Sequence, residues 1–112
     1  MDKIFEEYIE NLVNECLQSA KFAYLPEKER QEFAQKLRDY FYNITINSFI
    51  DQISEEQFTR IKDLDFKTPE AQQKIAEMSA SIPGFAFALE DKLKKEMDKI
   101  LRDGKIPENG SV

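Results

Sequence analysis

The sequence predicts an all-α fold, a bundle of four to five helices with roughly antiparallel neighbours, on three observations. Apolar residues recur at spacings of three and four through most of the chain. Helix-start signals stand ahead of three segments, at Pro26, Ser54 and Thr68. Only one run alternates like a strand, and with no second run to pair it would leave its backbone groups unsatisfied. At 112 residues the chain is one domain, expected over residues 1–103, followed by a polar tail at 104–112 ("GKIPENGSV") expected to be mobile.

The first helix is expected from about Asp2, as N-cap, to about Lys21. Its apolar residues come as adjacent pairs four apart: Ile4-Phe5, Tyr8-Ile9, Leu12-Val13, Cys16-Leu17. Four residues advance the helix by about 400°, so the stripe drifts slowly round the rod. Pro26 then suits the first position of a second helix over 26–53. That helix carries two stripes. Phe33, Leu37, Tyr40, Phe41 and Ile44 form one; Tyr42, Ile46, Phe49 and Ile53 form another, about 180° away. "YNITIN" at 42–47 is the strand-like run, read here as helix for want of a partner.

"SEEQ" at 54–57 is a capping box that opens a short third helix, with Phe58, Ile61 and Leu64 expected inward. Thr68 and Pro69 open a fourth with Ala71, Ile75, Met78 and Ile82 inward, and Pro83-Gly84 should break it. The last helix is expected from Pro83 to Asp103, with Phe85, Leu89, Leu93, Met97 and Ile100 as its stripe, Glu96 on the flank, and Gly104 as a left-handed cap. Phe87 falls about 160° from that stripe. The expectation is that the loop carrying Phe66 covers it; the other reading leaves it exposed to a partner.

Composition limits the chemistry. The net charge of −6 repels phosphate backbones and acidic membranes, so neither direct nucleic-acid binding nor a membrane role is expected. With no histidine, the commonest general base and the commonest transition-metal ligand are both missing. A lone cysteine excludes an intrachain disulfide and a thiolate zinc site, and Cys16 lies within an apolar stripe, as a buried and inert thiol would. The acidic start lacks the apolar run of a signal peptide, so a cytoplasmic location is expected. No enzyme activity, cofactor or metal is expected.

Two surfaces stand out as candidates. The rear stripe of the second helix (Tyr42, Ile46, Phe49, Ile53), with Phe87, is either core wrapped by the other helices or a surface for a protein partner or a second copy of the chain. The first helix carries Glu6, Glu7, Glu10 and Glu15, an acidic face suited to an inhibitor or nucleic-acid mimic that fills a basic groove on another protein. "LPEKERQEFAQKL" (25–37), "ISEEQFTRI" (53–61) and "SIPGF" (81–85), in this order, resemble a small helical domain family of unknown function from bacteria of the candidate phyla. The resemblance covers about residues 25–101 and implies a compact α-helical domain in a bacterial protein, with no catalytic or ligand residues to carry over. The leading expectation is a non-enzymatic protein–protein interaction module, self-associating as a homodimer in one form of it.

Overall fold

The structure, a computed structural model, describes residues 3–107, with side chains from Glu6 onward. Five helices follow in order: α1 (Lys3–Gln18), α2 (Glu27–Gln52), α3 (Glu55–Ile61), α4 (Pro69–Ser79) and α5 (Phe85–Asp103), with no strand among the described residues. The fold is all-α, as the periodicity predicts. Asp2, the expected N-cap of α1, lies outside the described residues. The tail expected over 104–112 is described only to Pro107. Its beginning is anchored, because Ile106 packs against the core.

Three helices build the body. Glu10 of α1 pairs with Arg38 of α2, while Leu17, further along α1, receives Arg30 from earlier in α2. The two helices therefore run antiparallel. Tyr40 meets Glu96 and Phe49 meets Phe85, so α5 is antiparallel to α2 as well. Tyr8 reaches the Glu90 carbonyl and Lys21 the Arg102 carbonyl, which sets α1 parallel to α5. At about 1.5 Å per residue α2 is about 39 Å long, and it accounts for most of the 46 Å long axis of the molecule.

The second helix is wrapped on both sides. Phe41 and Ile44 from the front stripe and Phe49 from the rear are all 0% exposed, and Ile46 is 6% exposed. The "YNITIN" run is helical because those residues find cover, and the Thr45 hydroxyl donates to the Phe41 carbonyl one turn back. This corrects the surface reading of the rear stripe. Ile46 and Phe49 belong to the core, Ile53 is half-buried against it, and Tyr42 is half-buried beneath the α3–α4 loop.

Helix ends follow local chemistry. α1 stops at Gln18, short of Lys21, where the Ser19 hydroxyl donates to the Cys16 carbonyl and the chain turns Phe22 inward onto Phe33, ring centroids 4.5 Å apart. α1 has no basic residue in its last turn; Arg30 of α2 donates to its Leu17 carbonyl instead. Pro26 stands at the N-cap of α2, one position before the place expected. The Ser54/Gln57 capping box forms as read, and Thr68 accepts from the Ala71 amide with Pro69 at the first turn. α4 ends at Ser79 rather than near Ile82, because the Ser81 hydroxyl takes the Met78 carbonyl and a tight turn precedes Pro83. Gly84 (φ 73°) then caps α5, which begins at Phe85, and Gly104 (φ 74°) closes it as predicted.

Two aromatic expectations need correction. Phe58 is 38% exposed, and Ile61 alone from α3 is buried. Phe87 is 81% exposed. The loop that was expected to cover it is pinned elsewhere: Phe66 packs against the core and its carbonyl accepts from Tyr42. No described helix is long and apolar enough to cross a membrane.

Candidate functional site

On α2, Gln35, Arg38, Asp39 and Tyr42 stand at i, i+3, i+4 and i+7, and so share one face. On α1, Glu6, Ile9 and Glu10 do the same. Antiparallel packing brings the two faces together as the walls of an open cleft of about 700 Å³, with Asn43 at its margin. The far side comes from another part of the chain, Lys67 of the α3–α4 loop and Gln72 of α4. A volume of this order lies in the range of ligand-sized clefts; most of the residues that line it are polar or charged, though the stems of those side chains leave more apolar than polar surface facing it.

The walls are held by a chain of polar contacts. Arg38 grips Glu10 with two donors, Nε to Oε2 at 2.6 Å and Nη2 to Oε1 at 3.0 Å. Its Nη1 also reaches the Gln35 side-chain oxygen at 3.4 Å, and Gln35 Nε2 donates to Asp39 Oδ1 at 3.1 Å. The Tyr42 hydroxyl donates to the Phe66 carbonyl and interacts with the Gln72 side chain. Burial is the main reason its phenol is harder to ionise than usual; the bond to Gln72 opposes that shift and the Asp65 charge adds to it.

Of the predicted acidic face, Glu6 and Glu10 line the cleft, and Glu6, Glu7, Glu10 and Asn11 border a shallower recess of about 280 Å³ beside it. Glu10 corrects the picture of a bare acidic face, since Arg38 neutralises it. Glu15 is exposed further along α1 and lines neither recess. With the Glu10–Arg38 pair cancelled, Glu6 and Asp39 outweigh Lys67 in the cleft lining, and Glu7 adds a further carboxylate from the recess beside it.

The remaining candidates separate. Ile46, Phe49 and Ile53 stand apart from the cleft, while Tyr42 belongs to it and Phe87 projects from the first turn of α5. Beside that turn is a small cavity of about 220 Å³ bordered by Ser48, Gln52, Pro83, Gly84 and Lys92, where the buried Ser48 hydroxyl has no hydrogen-bond partner. Cys16 is fully buried, and burial, with help from the Glu15 charge, pushes its thiol up to about 11, far from thiolate chemistry at neutral pH. Among the described residues no three Cys, Asp or Glu side chains come together as a metal site would need.

The sequence reading gives no role to Gln35, Arg38, Asp39, Asn43, Lys67 or Gln72. The i, i+3, i+4 spacing of Gln35, Arg38 and Asp39 is a signal that could place them on one face of α2, but the pairing of Arg38 with Glu10, 28 residues away, belongs to the fold. Comparison with protein-family models, with curated proteins and with solved structures finds no match for the chain.

Proposed function

We propose that this chain is a non-enzymatic protein-binding module whose acidic cleft takes a basic segment of a partner protein. The observation that carries this reading is the cleft wall itself, where Glu6 and Asp39 flank a carboxylate, Glu10, that already holds a guanidinium. Neighbouring amides of Gln35 and Asn43 add hydrogen-bonding groups suited to a polar chain. The overall charge of −6 speeds encounter with a cationic partner. The test is fluorescence anisotropy with a labelled lysine- and arginine-rich peptide. Binding should weaken by about an order of magnitude from low to high salt and again in Glu6→Gln/Asp39→Asn. Absence of binding at low salt, or an unchanged affinity in the double variant, rejects the reading.

A second reading rests on Phe87, an exposed aromatic at the tip of α5 that suits an apolar contact with a partner or a second copy of the chain. Binding there would persist at high salt and vanish in Phe87→Ser, and light scattering on the two proteins separates it from the cleft.

A further inference from the structure

The cleft has walls of two kinds. Its acidic side is α1 and α2, part of a body in which α1, α2 and α5 approach one another closely. Its other side, Lys67 and Gln72, belongs to the arm between α2 and α5. That arm contributes Ile61, Ala71 and Ile75 to the buried hydrophobic residues and sets Leu64, Phe66, Met78 and Ile82 half-buried against the core, whereas the body supplies the rest of the buried hydrophobic residues. Its ion pair, Arg60 with Glu56, is internal to α3. A polar tie from arm to body is Tyr42, whose hydroxyl is engaged by the Phe66 carbonyl and by Gln72.

Both ends of the arm are already breaks in the helical backbone. Ile53 is extended after α2 (φ −94°, ψ 159°), and Gly84 is left-handed before α5, with open space where a side chain would stand. Swinging the arm therefore requires no helix to melt, and its opening exposes far less apolar surface than global unfolding. When the arm is docked, Lys67 lines the cleft that Glu6 and Asp39 also line, so a basic residue of this chain borders the acidic wall.

We infer that residues 54–83 form a detachable strap across the cleft, latched by Tyr42, whose Lys67 occupies the place of a basic guest until the guest displaces it. The guest half of this inference rests on the reading that the cleft binds a basic segment; the strap itself does not.

Hydrogen exchange by mass spectrometry on the full chain tests the strap. In Tyr42→Phe, which loses the hydroxyl's bonds to the Phe66 carbonyl and to Gln72, amides in 55–80 should exchange at least about fivefold faster while α1, α2 and α5 keep wild-type rates. Acceleration shared by every helix, or none in the arm, overturns it. The labelled basic peptide tests the competition. Lys67→Ala, a surface change that leaves the core intact, and Tyr42→Phe should each tighten its binding several-fold. If the peptide binds the wild type and neither variant tightens it, the competition is refuted. If the peptide does not bind the wild type at all, the cleft reading and the competition fall together, while the exchange pattern still decides the strap.

Discussion

Glu96 is a charged residue on the buried stripe of α5, 8% exposed, and it stays there because its carboxylate is fully engaged. Tyr40 donates to one oxygen at 2.8 Å across the α2–α5 interface, and Lys99 donates to the other at 3.2 Å. Burial, then the bond to Glu96, then its charge make the Tyr40 phenol much harder to ionise than usual. Cys16 is shifted in the same direction, from 9.0 to about 11. A group whose folded pKa is raised stabilises the fold below its unfolded value, and that stability is lost as pH climbs through the folded value. Denaturation midpoints should therefore hold near neutral pH and fall from about pH 9 upward. Cys16 accounts for roughly 2–3 kcal/mol of the loss once pH passes about 11. In Cys16→Ala the decline between pH 9 and 11 should be shallower, and in Tyr40→Phe the decline above pH 10 should be. Identical slopes in all three proteins, measured by urea titration at each pH, contradict this account.

The elements were the most legible part of the chain, because their signals are local. Ser54 and Gln57 satisfy each other's backbone groups within a single turn, so four consecutive residues are enough to announce α3. Ser54→Ala should accordingly cost about 0.5–2 kcal/mol in chemical denaturation, with the m-value unchanged. A loss below that range would mean that packing of Ile61, and not the cap, holds α3 in place. Where an element's cover comes from a distant segment, the sequence was ambiguous. The two stripes of α2 could be read, yet whether Phe49 met Phe85 or a partner depended on a helix 36 residues later. Phe87 shows the same limit in reverse. Its angle on α5 was evident, but its exposure follows from Tyr42 holding the Phe66 loop elsewhere, a contact between residues 24 apart. The cleft was half-visible for the same reason: Glu6, Glu10 and Tyr42 stand out in the sequence, but the register that joins them to Arg38 and Asp39 belongs to the fold.

At the scale of the molecule, the chain divides into a three-helix body and an arm that leaves and rejoins it at one place. Gln52, at the end of α2, and Gly84, at the start of α5, border the same small cavity, so a few residues suffice to bridge them. Replacing residues 54–83 with a short Gly/Ser turn should therefore leave a chain that is still helical by circular dichroism and unfolds in one cooperative step. Losing the burial of Ile61 and Ile75 removes roughly 3–6 kcal/mol, a large share of the 5–15 kcal/mol typical of a domain, so the midpoint should fall steeply. The shortened chain also bares the core surface that Ile61, Ile75, Leu64, Phe66, Met78 and Ile82 of the arm pack on, and exposed apolar surface drives association. Light scattering should then show concentration-dependent self-association beyond that of the full chain at the same concentration. A shortened chain that is unfolded at all concentrations would show that the arm is integral to the core, and a folded monomer would show that the body covers α2 without it.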